Sequence, residues 1–224
     1  MISVVDKRYF NGPARVLVEI SDFRKDLAAD EIVESDGKKI IFDNCLEINL
    51  LTACYWLPVV EKISVEKFAL ALISNKIRGY VFTRPQLVEN FKKAVLESDL
   101  PLLESSVNSL TGLGAGLTPS GDDFLAGFIS ASHFFNRYVQ FDFFLKNVKI
   151  NFGSTNLISA QYLKYAIGGR ISEIISNIIV SAADKNDDLE LWIERLLGIG
   201  ASSGADTLYG ILTAMEVYNA CKFD

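Results

Sequence analysis

With 224 residues, half of them hydrophobic and 22% charged, the chain has material for one large core or two small ones and is too apolar for disorder. A formal net charge of −6 argues against a general nucleic-acid or anionic-membrane partner, since both need a basic face, and leaves room only for a local basic patch. Charges appear at Asp6 and Lys7 before any apolar stretch of signal-peptide length, and no uncharged run approaches the roughly 20 residues of a spanning helix. Cys45, Cys54 and Cys221 are odd in number and lack Cys-x-x-Cys spacing, which points to reduced, mostly buried thiols and a cytoplasmic protein. His133 is the sole histidine and sits among Phe128, Ile129, Phe134 and Phe135, so a packed imidazole is expected rather than a zinc ligand or triad member.

The first 60 residues read as strands and turns. Arg15–Ile20 follows Asn11-Gly-Pro13, Lys39–Phe42 follows Asp36-Gly37, and Glu47–Leu50 comes soon after. These short β-branched runs predict a small antiparallel sheet or partly closed barrel. Leu50–Trp56 fits either a strand or a helix, and Pro58 ends it.

From about residue 64 the period changes to that of a helix. Val65, Phe68, Ala69, Leu72 and Ile73 share one face, and Leu87, Phe91, Ala94 and Val95 mark a second helix begun after Pro85. A short helix over 101–110 leads into the glycine-rich segment Gly112-Leu-Gly-Ala-Gly-Leu-Thr-Pro-Ser-Gly-Asp-Asp123. Beyond it, 122–136 is apolar nearly all round and should be central. Apolar residues from Ala160 to Ile178 recur every three or four positions, predicting one long helix with Gly168-Gly169 inside it. Two last helices are expected over 189–197 and 204–220. The fold class is therefore α+β: a small antiparallel β-rich part over 1–60, then a mainly α-helical bundle over 61–224 that carries the motif.

An internal repeat organises the second part. Ser120-Gly-Asp-Asp-Phe-Leu-Ala-Gly127 lies over Ser203-Gly-Ala-Asp-Thr-Leu-Tyr-Gly210, and Ala131 over Ala214, at a constant offset of 83 residues. Gly112-Leu-Gly-Ala115 likewise resembles Gly198-Ile-Gly-Ala201. A glycine inside a helix costs roughly 1 kcal/mol against alanine. Its presence at the same place in both copies, Gly127 and Gly210, predicts that the two helices touch there and bring their N-termini to one site.

Gly112, Gly114 and Gly116 can let backbone approach a ligand. Thr118 reads as an N-cap with Pro119 at the first helical position, which would leave the amides of Ser120, Gly121 and Asp122 free as an anion site. The segment is not a P-loop, since Gly121 is followed by Asp122, nor a dinucleotide fingerprint, since a helix and not a strand leads into it. Asp122 and Asp123 repel a bare phosphate. Either a divalent cation such as Mg2+ stands between them and a phosphate ligand, or they accept N–H bonds from an amide or ureido ligand. Merely complementing the helix dipole is the alternative role for both. Candidate catalytic residues are thus Thr118, Ser120, Asp122 and Asp123, with Gly114, Gly116, Gly121, Ser203, Gly204 and Asp206 as candidate ligand contacts. Thr155, in Gly153-Ser-Thr-Asn156, can offer a hydroxyl or cap the following helix, and Arg170 can clamp an anion or stand on the surface. No protein metal ligands are assigned.

Residues 113–127, with Thr155-x-x-Ile-Ser159 and Gly200-x-x-Ser-Gly-x-Asp-x-Leu-x-Gly210, resemble the signature blocks of the AllH-like bacterial family, long catalogued as a domain of unknown function. The likeness spans roughly residues 46–218. It implies a subunit of an oxamate carbamoyltransferase of anaerobic allantoin and purine breakdown, which exchanges a carbamoyl group between oxalurate and phosphate and works with other subunits. It brings no catalytic assignment to these residues. The competing expectation is a non-catalytic subunit, regulatory through a small anion or nucleotide, or purely structural.

Overall fold

The structure, a computed structural model, describes residues 3–6, 11–13, 15–18, 33–42, 46–54, 56–58, 60, 65, 67–184 and 188–222. The chain divides into two compact units, Met1–Leu57 and Pro58–Asp224.

In the first unit, β1 (Ser3–Asp6) pairs in parallel with β2 (Arg15–Val18), while β3 (Val33–Ser35), β4 (Lys39–Phe42) and β5 (Leu46–Asn49) form an antiparallel sheet in that order. The expected small antiparallel sheet is present as β3–β5, and β1 with β2 adds a second small sheet whose pairing is parallel. In the turn joining β3 to β4, the Asp36 carboxylate accepts from the amides of Lys38 and Lys39, which holds its pKa below the usual range. Residues 51–54 are neither strand nor helix; Leu51 donates to the Asn49 side chain in a turn. Cys54 is exposed and Cys221 half-buried, contrary to the expectation of mostly buried thiols, and Cys45 lies outside the described residues.

The second unit is helical. Its described helices are α1 (Lys67–Lys76), α2 (Pro85–Leu96), α3 (Leu100–Leu110), α4 (Ser120–Ser132), α5 (Val139–Asn147), α6 (Leu157–Ile167), α7 (Glu173–Asp184), α8 (Asp188–Leu197) and α9 (Ser203–Cys221). Proline opens α2 and lies in the first turn of α3, where a missing amide costs nothing, and Asp99 caps α3 by accepting from Leu102 N at 3.0 Å. The apolar α4 is central as expected, with Phe124, Leu125, Phe128 and Ile129 fully buried, but it ends at Ser132 rather than near 136. Phe91, Phe128 and Phe144 meet edge to face at 4.7–5.6 Å and form the aromatic middle of the core.

The long helix expected over 160–178 is two. Gly168 caps α6, and Gly169 takes φ +69°, a left-handed turn that stops the helix before α7 restarts at Glu173. Apolar periodicity runs on across the break because both helices bury faces in the same core, and the pattern alone does not register the interruption.

Helices α4 and α9 make the most intimate contact of the unit. A Cβ built on Gly127 would stand 2.2 Å from Thr207 O, and one on Gly210 would stand 2.1 Å from Phe124 O. Each glycine thus admits the other helix's backbone. The predicted contact at the two repeated glycines is present.

Candidate functional site

The two copies of the repeat share their hydrogen bonds as well as their residues. Gly121 N donates to Leu113 O at 2.8 Å and Gly204 N to Ile199 O at 3.0 Å. Asp123 N donates to Pro119 O and Asp206 N to Ser202 O, at 3.1 and 2.9 Å. A Cβ on Gly121 or on Gly204 would fall 1.9 Å from a carbonyl of the preceding helix, Leu110 O or Leu196 O. Both half-sites therefore need glycine at this step for the same steric reason. The copies differ where α4 carries Asp122 and α9 carries Ala205.

This geometry corrects two expectations about the glycine-rich segment. The cap residue of α4 is Pro119, which has no capping side chain, and the hydroxyl of Thr118 instead pairs with the Ser203 hydroxyl at 2.6 Å across the two helix starts. Two of the three amides expected to be free for an anion are engaged: Gly121 N is bound to Leu113 O and Asp122 N to Pro119 O. Ser120 opens α4 with its hydroxyl near Gly114, and the loop over 114–117 is exposed, with positive φ at Gly114 and Gly116.

The three carboxylates have different surroundings. Asp122 is 2% exposed and saturated by the protein, with Oδ1 accepting from Gly112 N at 2.8 Å and Oδ2 from the Thr155 hydroxyl. Thr155 thus belongs to a strut that ties the loop before α4 to the segment before α6. The capping role nearby falls to Asn156, which accepts from Ile158 N and Ser159 N.

Asp206 is fully buried; its Oδ1 accepts from the Tyr80 hydroxyl and its Oδ2 has no partner. Asp123 Oδ2 is likewise buried without a partner. Burial is the main cause that pushes the Asp123 carboxyl up to about 7; the Ser203 and Thr118 hydroxyls facing it oppose this, and the charges of Asp206 and Asp122 add to it. Tyr80 is raised above its ordinary value by burial, by donating to Asp206, and by the nearby charges of Asp206 and Asp123. Beside these groups stands an aromatic wall: Tyr80 meets Tyr209 edge-on at 6.2 Å, and Phe82 and Phe124 lie 5.5 Å apart.

A buried acceptor with no donor costs about 1–3 kcal/mol, and more when charged. Two such oxygens stand at equivalent positions of the two repeated helix starts. Among the described residues no three His, Cys, Asp or Glu side chains form a metal-binding group.

The remaining candidates lie apart from the cluster in role. Arg170 is exposed and stacks over the Tyr165 ring at 5.8 Å. His133 ends α4, about 15 Å along the axis from Asp123; its Nε2 is 2.8 Å from Ala166 O, and burial lowers its pKa. Tyr80 was not foreseen. It lies in the link between α1 and α2, and neither spacing nor neighbours set it apart in the sequence.

Residues 110–215, just under half the chain, match the family model of the oxamate carbamoyltransferase subunit AllH. Over this span the chain is similar to that family. The matched span holds the glycine-rich loop, α4, Thr155 and the start of α9, and leaves out Tyr80. No solved structure matches the chain. Within the described residues, no helix is long and apolar enough to cross a membrane.

Proposed function

We propose that this chain is a subunit of an oxamate carbamoyltransferase-like enzyme of allantoin and purine catabolism, acting with other subunits in the cytoplasm. In this reading the carbamoyl-bearing ligand is received at the starts of α4 and α9. The observation that carries this reading is the pair of buried, unpartnered oxygens, Asp123 Oδ2 and Asp206 Oδ2. Carboxylate acceptors suit the N–H groups of a ureido or primary amide ligand and repel a bare phosphate. The family model that matches residues 110–215 is named for a carbamoyl transfer whose donor and product both carry such groups.

Transfer of a carbamoyl group calls for orientation of the donor and a place for the charge that develops on the carbonyl oxygen. In this chain Thr118 and Ser203 supply hydroxyls beside Asp123, while the backbone amides of Gly121 and Asp122 are already spent inside the protein. With these two amides engaged, a partner subunit is the natural source of further groups for the phosphate. This division also weighs against a free-standing sensor of small anions.

The test is calorimetry of the purified chain with oxamate, carbamoyl phosphate and inorganic phosphate, each with and without Mg2+. Oxamate is expected to bind, and Asp206→Asn to weaken it at least tenfold. Absence of oxamate binding, with phosphate bound equally well by the Asp206→Asn variant, would overturn the reading. Binding without turnover after the other subunits are added would point to a regulatory subunit.

A further inference from the structure

We propose that the two repeated carboxylates divide the work of the transfer: Asp206, held by Tyr80, accepts the N–H bonds of the carbamoyl amine, and Asp123 passes a proton to the nitrogen that departs. This rests on the carbamoyl-transfer reading of the pocket. The repeat makes the two residues equivalent in backbone position, yet their side chains are partnered differently. One oxygen of Asp206 is already engaged by the Tyr80 hydroxyl, which fixes the carboxylate and leaves Oδ2 as a stationary acceptor. Asp123 is faced by the Thr118 and Ser203 hydroxyls, which can reorient and so serve either protonation state, and its own Oδ2 is also open.

The groups facing Asp123 are Asp122 on its own helix, Asp206 on α9, and Thr118 and Ser203 at the helix starts; Tyr80, from the link before α2, stands on the far side of Asp206. Every titratable group among these is an acid. Nearby negative charge and burial hold the Asp123 proton to about pH 7, so at neutral pH both forms are present in quantity.

The step balances without any further reactant. A phosphate oxygen forms a bond to the carbamoyl carbon of oxalurate as that carbon's bond to the internal nitrogen breaks. The departing nitrogen takes the proton of Asp123 and leaves as the primary amide nitrogen of oxamate. The Asp123 carboxylate then recovers a proton from the monohydrogen phosphate that attacked, giving carbamoyl phosphate and a reset site. In the opposite direction the same carboxylate begins as the base.

The experiment is steady-state kinetics of the assembled complex across pH, paired with oxamate calorimetry of the same preparations. Asp123→Asn, which keeps the shape of the protonated side chain, should lose about 10²–10⁴-fold in kcat, a loss well beyond any weakening of its oxamate binding. Wild-type phosphorolysis should slow as pH rises through about 7, the reverse reaction should quicken over the same range, and Asp123→Asn should lose both limbs. Asp206→Asn should raise KM more than it lowers kcat. Tyr80→Phe, a positioning change, should raise KM and leave the limbs in place. The wild-type profile needs no substitution, so a misfolded variant does not shield the proposal. Flat wild-type profiles, or an Asp123→Asn complex with normal kcat and normal limbs, overturn the division of labour while oxamate binding upholds the pocket. Failure of wild type to bind oxamate removes the pocket reading and this one with it.

Discussion

Asp122 and Asp123 are neighbours with opposite situations, and this contrast can be measured. Asp122 spends both oxygens on the protein, joining Gly112 N to the Thr155 hydroxyl. Asp122→Ala strands both donors, so unfolding free energy should fall by about 2–4 kcal/mol in a denaturant titration. Asp123 works in the other sense. Its native pKa of about 7 lies above the ordinary carboxyl value of 3.8 that the unfolded chain keeps. Between those values the native state keeps a proton that the unfolded state has released, so the stabilising contribution is full below about pH 4 and is lost as pH rises through 7. Thermal scans from pH 4 to 8 should show this decline in wild type and lack it in Asp123→Asn. Much of this site was legible in the residues: the doubled Ser-Gly-x-Asp pattern pointed to Asp123 and Asp206 together. Which carboxylate is satisfied was not legible, because Thr155 reaches Asp122 across 33 residues and Tyr80 reaches Asp206 across 126, distances at which spacing carries no information.

Between elements, the seam of α4 and α9 rests on two glycines that face backbone. Alanine at Gly127 or Gly210 gains about 1 kcal/mol of helix propensity. It also forces a Cβ to within 2.2 Å of a carbonyl oxygen that cannot step aside. Overpacking of this kind costs typically 1–3 kcal/mol, and here more, because no flexible side chain yields. Either substitution should lower Tm by several degrees, and both should loosen the hydroxyl pair of Thr118 and Ser203 at the adjoining helix starts. Helix positions were readable from apolar periodicity because most helical stability comes from one buried stripe. The break at Gly168-Gly169 was not, since a glycine pair is compatible with a helix until a left-handed φ is required of it. The helix over 139–147 escaped for a related reason: its buried Phe141 and Phe144 are too few to establish a period.

At the scale of the molecule, the division into Met1–Leu57 and Pro58–Asp224 places all members of the carboxylate cluster in the second unit. A fragment of residues 58–224 should therefore unfold in one cooperative transition by circular dichroism and keep the pH dependence assigned to Asp123. A fragment without a sharp transition would show that the first unit completes the core. The class of fold followed from the change of period near residue 64. The parallel pairing of β1 with β2 did not, because two strands of four residues carry too little pattern to reveal their partner or its direction.

The backbone-to-backbone contact of α4 with α9 also governs how the pocket can move. Packed side chains can slide or change rotamer, but a carbonyl pressed into a glycine notch leaves the two helices no low-energy slip along each other. The seam should act as a ruler that resists any change in the span between Asp123 and Asp206. In the proposed site, admission to the buried oxygens would fall to the two connecting segments that carry Tyr80 (residues 77–84) and the exposed Gly114 and Gly116 (residues 112–118). Loop motions of that size run on nanosecond-to-microsecond timescales. Recognition would thus be paid in loop ordering around an unyielding pair of acceptors, and ligands should be sorted by the spacing of their N–H groups.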